Sequence, residues 1–212
     1  MGSKIRFNVA KFGAKVASQV SKFGFGSGNN LPGYVFYKIA GKEALKDLAH
    51  EMSIGPILIT GTNGKTTTTT LLIKLLSADT KIRKSFESNT IHAITTGILK
   101  GDGDLGVFEY GIRNKSYGIP DTVQRLIDPV GVVYTTISRE HSQVAGVKNP
   151  FEEYVDAKSL LSQGMTRGVV ISNADDPVTA NIACNKRNDL HVNFYGSVSY
   201  THLRAHETCA DL

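Results

Sequence analysis

Apolar positions along the chain fall into two rhythms that take turns. Short runs of β-branched and aromatic residues give way to stretches with apolar positions three and four apart. Pro56-Ile57-Leu58-Ile59 is the first run and reads as a short buried strand. Residues 68–76 follow and read as a helix with its stripe at Leu71, Leu72, Leu75 and Leu76. Further strand-like runs cover 105–110, 131–137, 168–172 and 191–195, with helical candidates over 120–127, 150–162 and 177–184 between them. Each of those helices begins at or near a proline, which suits a first turn. Strands alternating with helices predict an α/β domain around a mainly parallel sheet.

Ahead of this alternation lies a different stretch. Residues 4–23 carry Ile5, Val9, Phe12, Val16, Val20 and Phe23 at helical spacing, and 24–33 read as a Gly-rich loop. The stretch is basic: residues 1–42 hold seven of the 24 lysines and arginines and none of the 19 acids. The net charge of +5 therefore belongs to this arm, and the remainder is slightly acidic. Three readings follow: a helix docked on the domain, a helix lying on an anionic membrane surface, or a removable targeting peptide. Docking is the favoured one. Lys11, Lys15 and Lys22 interrupt any signal-peptide core.

The chain has 212 residues, enough for one or two domains, and 41% of them are hydrophobic. No run is long and apolar enough for a transmembrane helix. Two cysteines suggest neither a disulfide framework nor a metal cluster, and a cytoplasmic setting fits.

The chemistry concentrates where the predicted strands end. Gly61-Thr62-Asn63-Gly64-Lys65-Thr66-Thr67 joins the first strand to its helix. The glycines let backbone N–H groups approach phosphate oxygens, and the helix N-terminus adds positive character. Lys65 can reach terminal phosphates, and Thr66 can ligate Mg²⁺. The strict pattern has glycine at the position of Ile59. Glu109 ends the next run, Ser138-Arg139-Glu140-His141 follows the third, and Asn173-Ala174-Asp175-Asp176-Pro177 follows the fourth. In open parallel sheets ligands bind at these carboxyl ends. Thr66 and Glu109 suit a hard cation, and His141 is a less usual third candidate.

These motifs resemble the Mur ligases, which form amide bonds in cell-wall precursors with ATP; folylpolyglutamate and cyanophycin synthetases are related. The resemblance runs from about Gly26 to Gly196. It implies a three-layer P-loop-type central domain, incomplete here, over 51–196 behind the helical arm and Gly-rich loop of 1–50. It implies that Gly61 to Thr67, Asn173 and Asp175 bind ATP. It implies that Thr66, Glu109 and His141 bind Mg²⁺, and that Lys65, His141 and Lys158 serve catalysis. Phe151 and Tyr154-Val155-Asp156-Ala157-Lys158 match a helix whose lysine is carbamylated in several members. Most members hold the UDP end of the substrate with a domain ahead of the loop, where this chain has only the arm. That, with Leu31-Pro32-Gly33 and the Asn89 segment, resembles MurT-type ligases, which work with a glutaminase partner. Ser138-Arg139-Glu140-His141-Ser142 departs from the MurT pattern and leaves archaeal pseudomurein peptide ligases equally open.

Residues 197–208 resemble a translated sequencing-adapter read, and 197–212 are expected to be an artefactual tail. The expectation is thus a truncated ATP-dependent carboxylate–amine ligase working through an acyl phosphate, inactive alone. Its expected partner is a cell-wall precursor peptide or lipid-linked substrate, not a nucleic acid. A folylpolyglutamate-type ligase usually has Gly-Lys-Gly-Ser where Gly64-Lys65-Thr66-Thr67 stand. A nucleotide-driven switch calls for an aspartate where Glu109 stands. A non-catalytic interaction subunit is the remaining alternative.

Overall fold

In the computed structural model, residues 3–21, 30–140, 142, 148–185 and 190–197 are described. Six strands form one sheet: β1 (Gly55–Thr60), β2 (Ile82–Ser88), β3 (Leu105–Tyr110), β4 (Gly131–Tyr134), β5 (Val169–Asn173) and β6 (His191–Tyr195). Their order is β2-β3-β1-β4-β5-β6, and every pairing is parallel. Successive side chains of a strand point to opposite faces. Leu58, Phe108, Val132, Tyr134 and Val170 face one core, and Ile59, Val107, Val133 and Ile171 face the other. Both faces must therefore be covered, and the fold has three layers.

The first face carries α5 (Ile91–Lys100), α7 (Pro120–Ile127), α8 (Pro150–Gln163) and α9 (Pro177–Cys184), which contribute Ile94, Leu126, Leu161 and Ile182. Outside α5 lie α1 (Ser3–Ser21), α2 (Leu31–Ala40) and α3 (Ala44–Ala49), and α6 (Lys115–Gly118) is a single turn after β3. The second face carries α4 (Lys65–Leu76). No helix among the described residues is long and apolar enough to cross a membrane.

The α/β architecture and the three proline-led helices match the sequence reading. Several details differ. On α4 the inward stripe is Thr69, Leu72, Ile73 and Leu76, spaced i, i+3, i+4 and i+7. Leu71 and Leu75, expected on that stripe, are exposed. β4 stops at Tyr134, three residues early, because Thr135 and Thr136 leave the ladder to bond the loop between β1 and α4. Leu31-Pro32-Gly33, expected in a loop, opens α2. Gly33 is needed there: a Cβ would stand 2.0 Å from the His92 carbonyl oxygen of α5.

β2, α2, α3, α5 and α6 had no counterpart in the sequence reading. β2 hides because Arg83 interrupts its apolar positions. That arginine is buried, donates to the carbonyls of Gly103 at 2.8 Å and Ile98 at 3.0 Å, and pairs with Glu51. α5 hides because it is buried around most of its circumference and shows no polar face. Thr90 caps its first turn by accepting from the Ala93 N–H.

The arm is docked, as favoured, but not through the expected face. Ala10, Ala14 and Ala17 are buried, and Phe7 meets Phe36 edge-on at 5.5 Å between centroids. Ile5, Val9, Phe12, Val16 and Val20 point to solvent. Phe23, most of the Gly-rich loop, and the tail from 198 onward lie outside the described residues.

Candidate functional site

The sheet order reverses around β1: the chain moves out to β2, returns to β3, then crosses to β4. The crevice at such a reversal lies at the strands' carboxyl ends. The loop between β1 and α4 fills it. Gly64 adopts φ +83 and Gly61 φ +152, conformations that favour glycine. A Cβ on Gly61 would meet the Thr135 Oγ1 at 2.0 Å, so the loop backbone lies tightly against the β4 exit. Thr135 fixes it there, donating to the Asn63 carbonyl at 2.6 Å. Asn63 also reaches across, its Nδ2 donating to the Glu140 carboxylate at 3.1 Å.

Thr62 is the hub of the crevice. Its Oγ1 accepts from the Ser138 N–H at 3.0 Å and lies 3.0 Å from the Tyr154 hydroxyl of α8. Lys65 folds over its own loop and donates from Nζ to the Thr62 carbonyl at 2.7 Å. Burial holds its pKa below the ordinary lysine value, with the Glu109 charge opposing. Thr66 donates from Oγ1 to the Glu109 carboxylate at 2.8 Å. Glu109 itself is only 4% exposed at the end of β3. Thr67 is exposed on the first turn of α4.

A buried carboxylate and a threonine hydroxyl sharing one point are hard oxygen donors, the set that suits Mg²⁺. Beside them stand a lysine and a glycine-bearing loop whose close approach leaves no room for a Cβ at Gly61. The residues present therefore fit a Mg²⁺–nucleotide. Among the described residues no group of three His, Cys, Asp or Glu side chains could hold a metal by itself. His141, the third expected ligand, lies outside the described residues.

Lys158 sits under the same loop with no exposed surface. Its Nζ donates to the carbonyls of Ile112 at 2.9 Å and Gly61 at 3.2 Å and lies 4.3 Å from the Tyr154 ring centroid. Burial, then the neighbouring Lys65 charge, lowers its pKa to about 7. No carboxylate partner for it is recorded among the described residues.

The fourth strand end divides. Asn173 turns toward the crevice, its Nδ2 3.4 Å from the Thr136 Oγ1. Asp175 turns away: it is exposed and accepts from the Ser197 N–H at 2.6 Å. Asp176 is the buried one, accepting from the N–H groups of Ile137 at 2.6 Å and Val178 at 2.9 Å. It thereby ties the β4 exit to the cap of α9.

An open cavity of about 250 Å³ adjoins the loop, lined among others by Lys65, Glu87, Asn89, Glu109, Arg113 and Tyr154. Glu87 and Arg113 were not singled out from the sequence. Arg113 follows β3 directly, so the strand-end rule that found Glu109 applied equally to it. Glu87 gave no local signal, since it stands at φ +52 where the β2–β3 register shifts.

A family model described as the Mur ligase middle domain matches residues 59–208. The UDP-N-acetylmuramoyl-tripeptide–D-alanyl-D-alanine ligase of Bacillus subtilis is 30% identical over 65% of this chain and 31% of its own length. A crystal structure of MurF from Acinetobacter baumannii superposes with a TM-score of 0.61 at 18% identity, covering 80% of this chain and 35% of that one. A pseudomurein peptide ligase type C from Methanothermus fervidus superposes at 0.54 with 26% identity, covering 71% and 28%. This chain thus spans about a third of the length of the proteins it matches.

Proposed function

Since the chain belongs to the Mur ligase family through its middle domain, we propose that it binds Mg²⁺–ATP for a ligase that joins a carboxylate to an amine in cell-wall peptide synthesis. The observation that carries this reading is the Thr66–Glu109 contact at 2.8 Å, beside Lys65 at the mouth of the loop. Two hard oxygens from separate strand ends, next to a half-buried cation, are what a metal–triphosphate requires. Thr66 and Glu109 would hold the Mg²⁺, which when bound neutralises charge on the phosphates. His141 would serve a second ion.

The chemistry on this reading has two steps. A substrate carboxylate oxygen attacks the γ-phosphorus of ATP, and the bond to the bridging oxygen breaks as ADP leaves. An amine then attacks the acyl carbon of the acyl phosphate, losing a proton as inorganic phosphate departs. Lys65 and the loop N–H groups stabilise charge on the transferring phosphoryl group. Arg113 faces the cavity where a carboxylate would enter, and Asn173 turns toward the crevice on the nucleotide side. The reading places the reaction in the cytoplasm, where ATP is available.

Lys158 extends the proposal. An amine with its pKa lowered to about 7 is neutral above that pH and nucleophilic toward CO₂. Its nitrogen would bond the carbon of CO₂ and release a proton, giving an anionic carbamate in place of a buried cation. A ¹³C signal from labelled bicarbonate, absent in Lys158→Met, would support this. An unmodified Lys158 in a high-resolution structure with two metals bound would defeat it.

Two branches fit the family. A MurT-type enzyme would take ammonia from a glutaminase partner, and a pseudomurein-type enzyme would take an amino acid. The deciding experiment is ADP release by the full-length protein. ADP formation must depend on both a carboxylate and an amine, and ammonium against amino acids separates the branches. Equal turnover with neither substrate would refute the ligase reading.

A further inference from the structure

The arm presents to solvent the side that sequence periodicity expected to be inside. α1 is seated on α2 and α5 by Ala10, Ala14 and Ala17. Ile5, Val9, Phe12, Val16 and Val20 are between 44% and 70% exposed. Steps of three and four residues place all five in one stripe, which at the helical rise runs roughly 22 Å along the helix. Large apolar side chains aligned so are a patch and not a scatter. The core leaves them free because the close α1–α2 approach is made by small residues on a different face.

The charge that α1 itself carries beside the stripe is of one sign. Lys4 and Lys15 are exposed on the polar side of α1, and no acid occurs between residues 1 and 42. Lys11 is engaged by Glu51 at 2.7 Å. Next to the stripe runs an open groove of about 800 Å³, whose lining includes Lys11, Phe12, Lys15, Pro32, Leu99 and Lys100. Lysines from two helices thus share a groove with apolar side chains, a combination that receives an anionic headgroup above and an acyl chain beside it. A soluble apolar partner would explain the stripe but not the lysine row. An anionic bilayer explains both.

We infer that α1 is an interfacial membrane helix, which lays Ile5, Val9, Phe12, Val16 and Val20 into a leaflet rich in anionic lipid. Lys15, exposed at the rim of the groove, faces a lipid phosphate. The helix is attached to the catalytic domain by its alanine face, so the bilayer surface is held beside the domain. The inference is independent of the ligase reading, since it uses no residue of the nucleotide site.

The test is flotation of the full-length protein with vesicles of phosphatidylcholine alone and of phosphatidylcholine with phosphatidylglycerol. Binding is expected to the anionic vesicles and not to the neutral ones, and to fall as salt rises. Phe12→Ser with Val16→Ser should weaken it at least tenfold, and Lys15→Glu several-fold. All three side chains are exposed, so melting temperature and nucleotide binding should be unchanged and a folding defect would be visible separately. Failure of the full-length protein to float with anionic vesicles overturns the inference. So does binding that survives Phe12→Ser with Val16→Ser. Self-association through the stripe, seen as a dimer that those substitutions dissolve while vesicle binding is absent, also overturns it in favour of a second copy as the occupant.

Discussion

Thr66 and Glu109 illustrate how two modest side chains become a candidate site. Neither residue type is unusual at its position, and their significance comes from a 2.8 Å contact between different strand ends. Removing either oxygen should therefore affect metal-dependent binding more than folding. Thr66→Ala and Glu109→Gln are each expected to weaken Mg²⁺–ATP binding by at least roughly tenfold, about 1.4 kcal/mol, and to leave metal-free nucleotide binding less changed. Titration calorimetry with and without Mg²⁺ checks this, and equal losses in both conditions would remove the metal role. Lys158 gives a pH signature. Its folded pKa of about 7 lies below the ordinary 10.5, so between these values the unfolded chain holds more protons than the folded one. Stability contributed through Lys158 then rises with pH across that window, and the cost of burying its ammonium is complete below it. In CO₂-free buffer the unfolding free energy of the wild type should climb between pH 7 and 9 more steeply than that of Lys158→Met, by up to about 1.4 kcal/mol per pH unit. Parallel slopes would mean that Lys158 titrates as an ordinary lysine. Lys65 shifts in the same direction and is electrostatically coupled to Lys158, so the difference reports Lys158 together with that coupling.

At the scale of elements, α4 shows how a helix can be read correctly and still be turned wrongly. Its existence follows from the glycine-bearing loop before it and the apolar residues in it. Its orientation does not, because four leucines at 71, 72, 75 and 76 offer a plausible stripe by themselves. Packing selects Ile73 with Leu72 and Leu76, since the helix must also aim its first turn at the crevice. Ile73→Ala should cost about 2–4 kcal/mol in chemical denaturation, whereas Leu75→Ala, at a position 71% exposed, should cost about 0.5 kcal/mol or less. The reverse ranking would restore the leucine stripe. α1 repeats the lesson with a functional consequence. Its large apolar side chains look like the docking face, yet alanines allow a closer helix approach and take that place.

Across the whole molecule, one sheet order gathers residues from positions 61 to 173 around a single crevice. β3, β1, β4 and β5 are neighbours, so their four carboxyl ends lie side by side. Mg²⁺–ATP should accordingly slow amide hydrogen exchange in three separate stretches, at 61–66, 109–113 and 135–138, and leave β6 and α1 unaffected. Protection confined to 61–66 would show that the other strand ends take no part. The sequence by itself determined the α/β alternation, the glycine-bearing turn between β1 and α4, the place of Glu109 near the end of a strand and the proline-led helices, because each is written in local spacing or in a backbone requirement that only certain residues meet. It also fixed the basic, acid-free character of the arm. Tertiary structure alone decided which face of α1 and α4 turns inward, since amphipathic spacing names a face but not its neighbour. It alone decided that Arg83 belongs inside an edge strand, that Asp176 rather than Asp175 is buried, and that Lys158 has lost its water beneath the loop. Those outcomes depend on what distant segments bring to the same place, and no short window of the chain contains that information.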